Sequence, residues 1–368
     1  MKKWWIAASL IVALIAVSAL LLQDTLIRSF FQPTTSRIPD GKMSGRAVET
    51  IATNLDTPWS LVLLPHNETL ITERSGSIKR LGVNGQIYQI EGVEETSEGG
   101  LLGIALHPRF SENSRIYLYF TTLRNNTLTN QVASYTLNST SLSKQQTILA
   151  NIPAANNHNG GTIAFGPDNK LYITTGDAAQ GNLAQDTSSL AGKILRLNDD
   201  GSVPDDNPFD NLVWSYGHRN PQGITWDDRG RLWSVEHGPS GERKGRGKDE
   251  LNLIDKGINY GWPIIAGDET NTGMRAPVIH SGEDETWAPA GIAYSHGSLF
   301  FAGLRGQTLY EARIDDDTVV LSRHFSGKYG RLRAVTATAK HLYFSTSNQD
   351  GRGNPQAADD KILRIRRP

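Results

Sequence analysis

A histidine between asparagines and glycines is the clearest candidate for proton transfer in this 368-residue chain. His158 lies in the stretch NNHNGG, residues 156–161, immediately before an alternating apolar run. A neutral imidazole can accept a proton from a hydroxyl group, and histidine is the side chain most often used for this step. The neighbouring Asn157, Gly160 and Gly161 would allow a ligand to approach closely. We therefore predict that His158 is a general base, and a surface or turn histidine is the alternative.

Four arginines occur beside other polar turns of the chain. Arg219 and Asn220 lie in SYGHRNPQGI, Arg305 lies in GLRG, and Arg331 and Arg333 lie in RLR. A guanidinium group binds planar carboxylates through paired hydrogen bonds. Several such cations brought together would repel one another unless an anion lay between them. If these segments meet in space, they predict a site for a small acidic ligand, and ordinary surface salt bridges are the alternative.

A long polar loop, VEHGPSGERKGRGKDELNLI at residues 235–254, offers oxygen donors for a metal ion. Backbone carbonyls at Gly238 and Pro239 could turn inward, and hard cations such as calcium are bound by carbonyl and carboxylate oxygens. A purely structural loop is the alternative for this segment taken alone. The chain has no HEXXH motif and no cysteine, so the common zinc-binding patterns are missing. It also has no GXSXG or GXXXXGK[ST] motif, so esterase and nucleotide-hydrolase activities lack sequence support.

The secondary-structure elements that must position these residues recur along the sequence as one repeated unit. Each unit is a strand, a tight polar turn with Pro, Asn or Asp, and a second strand. The units begin at Trp59, Leu102, Gly161, Gly223, Gly291 and Ala334. A single hairpin cannot bury both faces, and recurrence at roughly forty to seventy residues is typical of the blades of a β-propeller. We therefore predict an all-β, six-bladed propeller over residues 47–368. A two-sheet sandwich is the alternative, but it would not require a repeated hairpin.

The last blade is predicted to combine the two ends of the domain. The strand DKILRIRR near the C-terminus would complete a blade begun by the strand around Ile51. A propeller collects loops from every blade at one end of its channel, so residues far apart in sequence can form one site.

The N-terminus has the pattern of an export signal. Two lysines are followed by a stretch without charged residues from Trp4 to Gln23. Cleaved signal peptides have an apolar stretch of about 7 to 15 residues, whereas a membrane span needs about 20. We predict that residues 1–23 are a signal peptide or a membrane anchor and that residues 24–46 are a linker. The protein would then be exported, periplasmic or extracytoplasmic, and an uncleaved anchor would tether it to the inner membrane.

Composition argues against a nucleic-acid partner. The chain has 37 basic and 38 acidic residues. Such a balance does not produce the positive field that phosphate backbones require.

Seven motifs together resemble the soluble, pyrroloquinoline-quinone (PQQ)-dependent sugar dehydrogenases, in particular the aldose sugar dehydrogenase branch. The resemblance runs from about Leu55 to Arg366, and the motifs are specific as a set. They are LDTPWSL, EGGLLGIALHP, NNHNGG, SYGHRNPQGI, EHGPSG with DELN, NYGWP and RLRAV.

The resemblance implies a propeller that binds PQQ on its axis with Ca²⁺ beside it, an aldose substrate and an external electron acceptor. It implies that His158 takes the proton from the C1 hydroxyl of the sugar while a hydride moves to the quinone, giving a lactone. It further implies that Arg219 and Asn220 contact the quinone and that Arg331 and Arg333 hold the cofactor carboxylates. The metal ligands that it implies are the carbonyls of Gly238 and Pro239 for the calcium beside the cofactor, and Glu250 with the carbonyl of Tyr260 for an additional calcium site.

Three cofactor-facing positions depart from the pattern of the glucose dehydrogenases that the chain resembles. Glu98 stands where a glutamine usually faces the cofactor, and a carboxylate there would repel a tricarboxylate unless it were protonated or turned toward calcium. Asn157 stands in place of an aspartate, so His158 loses a charged neighbour that could raise its pKa. Arg305 replaces a lysine, which keeps the charge and changes the geometry of the donors.

Two other functions remain open from the sequence. One is a calcium-dependent lactonase on a six-bladed propeller, which would favour acidic and amide side chains around an axial metal. The other is a non-catalytic binding module with an empty pocket, for which Glu98 is the best sequence evidence. Fold alone does not choose among these, because one architecture hosts many activities.

Overall fold

A computed structural model describes residues 22–23, 25–27, 31–65, 68–82, 85–242, 245–315 and 318–367. Most of the predicted signal peptide or anchor, residues 1–21, lies outside the described residues. Among the described residues, no helix is both long enough and apolar enough to span a bilayer.

Strands dominate the part of the chain that the structure describes, and helical structure there is limited to short turns. The strands are β1 Val48–Ala52, β2 Pro58–Leu63, β3 Thr69–Glu73, β4 Ser77–Leu81, β5 Ile87–Gln89, β6 Leu101–Leu106, β7 Arg115–Arg124, β8 Thr127–Leu137, β9 Leu142–Pro153, β10 Ile163–Phe165, β11 Leu171–Thr175, β12 Lys193–Leu197, β13 Val213–Tyr216, β14 Pro221–Trp226, β15 Leu232–Glu236, β16 Ser240–Glu242, β17 Gly245–Arg246, β18 Glu250–Ile254, β19 Ile279–His280, β20 Pro289–Ser295, β21 Ser298–Gly303, β22 Thr308–Asp315, β23 Thr318–His324, β24 Leu332–Ala337, β25 His341–Thr346 and β26 Ile362–Arg366. The helical residues are 22–23 and 25–27, a four-residue α-helix, Phe110–Asn113, and two 3₁₀ turns, Lys42–Gly45 and Gly181–Gln185.

Six four-stranded antiparallel sheets form the blades, which confirms the predicted six-bladed propeller. Blade one is β2–β5, blade two is β6–β9, blade three is β10–β13 and blade five is β20–β23. Blade four is β14, β15, β18 and β19, and the small hairpin β16–β17 is inserted into it. The six repeated hairpins of the sequence are the first two strands of each blade.

Blade six closes the ring in the predicted way. It consists of β24, β25 and β26, and the N-terminal strand β1 pairs antiparallel with β26. Thr50 lies opposite Leu363 in this pair, so the two ends of the domain are joined by one ladder of hydrogen bonds.

The apolar core is divided among the interfaces between neighbouring blades. Each of six clusters is formed mainly by side chains from two adjacent blades. For example, Phe300 and Leu309 of blade five pack with Phe344 and Leu363 of blade six. The inner strands β3, β11 and β15 are buried at every position, because each sheet packs both of its faces against its neighbours.

The first strand of each blade faces a central channel. A cavity of about 540 Å³ is lined by residues of β2, β6, β10, β14, β20 and β24. The loops that lead into these six strands therefore meet at one end of the channel, and the candidate site lies there.

Candidate functional site

A second cavity, of about 450 Å³, lies where the chain enters the first strands of the blades. Eight of the twelve predicted site residues line it, and they come from loops of blades two to six. They are Glu98, Asn157, His158, Arg219, Gly238, Pro239, Arg305 and Arg331. The propeller thus brings together residues that are more than 200 positions apart in the sequence.

Asn220 and Arg333 lie next to this cavity and do not line it. Asn220 is fully buried, and its Oδ1 accepts a hydrogen bond from the backbone N–H of Gly160 at 3.0 Å. Arg333 lies in β24 and lines the deeper channel cavity, where its Nη1 donates to Gln222 Oε1 at 3.0 Å. Its guanidinium carbon also lies 5.2 Å from the ring centre of Trp59. Three of the four predicted arginines therefore line the cavity, and the fourth lies beneath it.

Glu250 and Tyr260 line a separate void of about 10 Å³, which shares Gly238 and Pro239 with the larger cavity. The Glu250 carboxylate accepts hydrogen bonds from Asn252 Nδ2 at 3.1 Å and from the N–H of Gly267 at 3.3 Å. Burial, together with the neighbouring Glu236 carboxylate, raises the pKa of Glu250 to about 8. A void of this size holds one water molecule or one small ion.

His158 is held in a defined orientation by a carboxylate that the sequence analysis did not select. Its Nδ1 lies 2.7 Å from Asp177 Oδ1, and the other oxygen of Asp177 accepts a hydrogen bond from Trp262 Nε1 at 2.8 Å. A carboxylate oxygen is a hydrogen-bond acceptor, so this contact favours the tautomer with the proton on Nδ1 and leaves Nε2 as the basic nitrogen. The sequence signal for Asp177 was its place two residues after the buried strand β11, in the motif GDA.

Backbone conformation also contributes to the position of His158. The residue has φ of 58°, in the left-handed region that non-glycine residues rarely adopt. Its N–H donates to Glu98 Oε2 at 3.1 Å, and its carbonyl accepts from the N–H of Ala178 at 3.2 Å. These contacts hold a conformation that costs about 1 kcal/mol or more.

Glu98 forms an ion pair with Arg352, a second residue that the sequence analysis missed. Arg352 Nη1 donates to Glu98 Oε1 at 2.7 Å. Burial alone would raise the pKa of Glu98, but the charge and hydrogen bond of Arg352 outweigh it and lower the pKa to about 2. Glu98 is therefore ionised at neutral pH, and the adjacent guanidinium compensates its charge.

His237 is a second imidazole on the cavity wall. Its Nε2 is buried and has no hydrogen-bond partner among the described residues. Burial lowers the pKa of His237 to about 3, and the nearby Glu98 carboxylate only partly offsets this effect. The ring is therefore neutral at physiological pH and offers its Nε2 to a ligand.

The cavity as a whole is cationic. Its lining includes five arginines and two carboxylates, Glu98 and Asp249. The Asp249 carboxylate accepts hydrogen bonds from the N–H groups of Gly238, Trp287 and Ala288. The arginines are Arg219, Arg246, Arg305, Arg331 and Arg352.

Arg331 donates through Nε and Nη2 to Asp350, but its buried Nη1 has no partner in the described part of the chain. The arrangement suits an acidic ligand with several oxygen acceptors.

Metal binding in this region would depend mainly on carbonyl oxygens. The described residues contain no cluster of three or more histidine, aspartate or glutamate side chains that could hold a metal ion. Gly238 and Pro239 line both the large cavity and the small void, and backbone carbonyls are among the oxygen ligands that a hard cation accepts.

Comparisons with known proteins identify similar chains along most of this length. A family model described as Glucose / Sorbosone dehydrogenase matches residues 55–363. The aldose sugar dehydrogenase YliI of Escherichia coli K12 is 32% identical over 344 residues, which cover 83% of this chain and 91% of that protein. Quinoprotein glucose dehydrogenase B of Acinetobacter calcoaceticus is 35% identical over 281 residues, covering 65% of this chain and 57% of that protein. Among solved structures, the PQQ-bound aldose sugar dehydrogenase of Streptomyces coelicolor has a TM-score of 0.80 and 39% identity, covering 87% of this chain and 98% of that one.

Proposed function

Because the chain belongs to the glucose/sorbosone dehydrogenase family, we propose that it oxidises aldose sugars at C1 to the lactone, with PQQ and Ca²⁺ bound in the 450 Å³ cavity. The observation that carries the proposal is the pair of His158 and Asp177 at the wall of a cationic cavity. This pair leaves a basic nitrogen on an imidazole whose orientation is held by a buried carboxylate.

The residues present fit an acidic quinone. PQQ is a flat ring system with three carboxylates, and the cavity offers five guanidinium groups. Two buried polar atoms, Arg331 Nη1 and His237 Nε2, have no partner among the described residues and would gain one from such a ligand. An unpaired buried polar group costs about 1 to 3 kcal/mol, so a ligand that satisfies both is favoured.

The same residues fit calcium. Carbonyls of Gly238 and Pro239 would hold the ion beside the cofactor, and the void next to Glu250 and Tyr260 would accept a further one. The Glu250 carboxylate is buried close to that of Glu236, since both accept from Asn252 Nδ2. Two neighbouring carboxylates are stabilised when a divalent cation lies near them.

The chain's own contribution to the reaction is positioning and proton transfer. The chemistry that the bound cofactor would supply is acceptance of the hydride from sugar C1, with calcium as a Lewis acid. His158 would accept the proton of the C1 hydroxyl at Nε2, and Asp177 would stabilise the imidazolium that results. Arg219, Arg305 and Arg331 would orient the cofactor through its carboxylates.

Dye reduction by the apo-protein, with PQQ, Ca²⁺ and a panel of aldoses, tests the proposal. We expect turnover with the wild type and a fall of about 10²- to 10⁴-fold in kcat for His158→Ala, with PQQ binding retained. Asp177→Asn should lower kcat by a smaller factor and alter the pH–rate profile, because the imidazolium loses its charged partner. A suitable control is His296→Ala, an exposed histidine in the turn between β20 and β21 at the other end of blade five. Absence of both PQQ binding and dye reduction in the wild type would reject the proposal.

The two alternatives give other outcomes in the same experiment. A lactonase would hydrolyse lactones with calcium alone, but the cavity is rich in arginine, which disfavours that activity. A non-catalytic binding module would show no turnover with any sugar. Glu98 was the main sequence argument for an empty pocket, and its pairing with Arg352 removes much of the expected repulsion toward an acidic cofactor.

A further inference from the structure

Residues 31–43, which we name the N-terminal strap, are attached to blade five. The N–H of Gly41 donates to the carbonyl of Arg323 at 2.8 Å, and the N–H of Arg323 donates to the carbonyl of Pro39 at 3.0 Å. Asp40 forms an ion pair with the Arg323 side chain at 2.8 Å. Met43 is 2% exposed and packs in the cluster between blades five and six. This part of the predicted linker is therefore anchored on the propeller.

The strap runs from this anchor toward the mouth of the 450 Å³ cavity. Ile38 packs against the apolar cluster between blades four and five. Farther along, the N–H of Thr286 donates to Thr34 Oγ1 at 3.0 Å, and Arg305 Nε donates to the carbonyl of Gln32 at 3.4 Å. Both Thr286 and Arg305 line the cavity. The strap thus reaches the site along a path with contacts at several points.

Phe31, at the described end of the strap, is part of the cavity wall. Its ring centre lies 5.1 Å from the guanidinium carbon of Arg352 and 5.9 Å from that of Arg331. These distances lie within the range of cation–π attraction. Arg352 in turn holds Glu98, which accepts the N–H of His158. One aromatic ring therefore contacts two of the five cations and is linked through Arg352 and Glu98 to His158.

We propose that Phe31 is a ligand-contacting residue of the site, which covers Arg331 and Arg352 and keeps water away from the carboxylates that these arginines bind. The proposal rests on the proposed function and deepens it, since the ligand is the acidic cofactor. A cavity of about 450 Å³ remains with Phe31 in its wall, a size typical of small-molecule sites. The strap and a bound ligand can therefore occupy the site together. Removal of water strengthens the attraction between a guanidinium group and a carboxylate, because the local dielectric constant falls.

Phe31→Ala in the full-length protein tests this inference through cofactor affinity. We expect the dissociation constant for PQQ to rise about three- to tenfold, since water would reach the contacts between the arginines and the ligand carboxylates and weaken them. Phe31→Tyr, which keeps the aromatic ring, should bind PQQ as the wild type does. The matched control is Ile87→Ala, an exposed apolar side chain on the outermost strand of blade one, with unchanged affinity expected. Unchanged affinity in Phe31→Ala would overturn the proposal, and tighter binding would overturn it as well, because it would mean that the strap competes with the ligand.

Thiol labelling gives a second readout that does not depend on sugar oxidation. The chain has no cysteine, so Phe31→Cys introduces its single thiol. Saturating PQQ should slow the labelling of Phe31→Cys by a maleimide, while Ile87→Cys should be labelled at the same rate with and without PQQ. Equal rates for Phe31→Cys would overturn the proposal if the wild type binds PQQ. Failure of the wild type to bind PQQ would reject the proposed function and this inference together, so the two failures are distinguishable.

Discussion

At the scale of single residues, the site depends on charges that are compensated in pairs. Glu98 and Arg352 are 15% and 29% exposed in their side chains and form an ion pair of 2.7 Å. Removal of one partner leaves the other charge partly buried, which is strongly unfavourable for groups shielded from water. The pair also holds the backbone of His158 through Glu98 Oε2, so it couples stability to the geometry of the candidate base.

From the Glu98–Arg352 pair we predict how the free energy of unfolding depends on pH in the acidic range. Because the folded-state pKa of Glu98 is lowered from 4.5 to about 2, the stabilisation is present above pH 4.5 and is lost as the pH falls toward 2. Glu98→Gln should therefore reduce the loss of unfolding free energy between pH 5 and pH 3, as measured by urea denaturation at each pH. Arg352→Gln alone should destabilise the protein at pH 7 by about 1 to 3 kcal/mol.

The double variant Glu98→Gln/Arg352→Gln serves as the control, since it removes both charges together. We expect it to be more stable at pH 7 than Arg352→Gln alone, with a coupling energy of about 1 kcal/mol or more. A Glu98→Gln variant with the same acid dependence as the wild type would contradict the assignment.

At the scale of elements, ring closure is the feature that distinguishes blade six from the others. Its outermost strand, β1, comes from the other end of the domain and is joined to β26 by backbone hydrogen bonds. Without this pairing, blade six would lose its outermost strand and the two ends of the domain would not be joined, which would weaken the blade whose loop carries Arg331. The pairing of β1 with β26 therefore contributes both to the stability of the propeller and to the position of the Arg331 loop at the site.

Leu363→Ala tests the packing of β26, the strand of blade six that pairs with β1. Leu363 is 1% exposed and packs between blades five and six, so its truncation should lower the unfolding free energy by about 2 to 4 kcal/mol. Val320→Ala, on the outermost strand of blade five and 47% exposed, should change it by about 0.5 kcal/mol or less. Chemical denaturation followed by fluorescence and by circular dichroism should show coincident transitions. A Leu363→Ala variant as stable as Val320→Ala would exclude a structural role for the packing of β26 in the closing blade.

At the scale of the whole molecule, a nearly neutral chain concentrates positive charge at one end of its channel. The formal net charge is −1, yet the cavity has five arginines and two carboxylates in its wall. This local field would steer an acidic ligand to the site, and salt should weaken the effect. The predicted export, the linker boundaries and the external electron acceptor remain predictions from the sequence.

Calcium should stabilise the folded protein as a whole. A ligand that binds only the native state raises stability by about 2.7 kcal/mol at one hundred times its dissociation constant. We therefore expect Ca²⁺ to raise Tm in calorimetry and a chelator to lower it, with a smaller calcium-dependent shift in Glu250→Gln. Glu112→Gln, on the short helix of blade two, is the matched control and should keep the full shift. A Tm that does not respond to calcium would argue against both metal sites.

The sequence by itself determined the blades, because a hairpin that alternates apolar and polar residues is a local pattern and repeats visibly. It also identified His158 and the cationic loops, since their residue types signal chemistry before any fold is known. Only the tertiary structure decided which loops meet. It paired His158 with Asp177 and Glu98 with Arg352, separated Arg333 from the other arginines, and brought Phe31 to the cavity. These contacts join residues distant in the chain, and their distances depend on how six sheets pack around one axis, which no short stretch of sequence encodes.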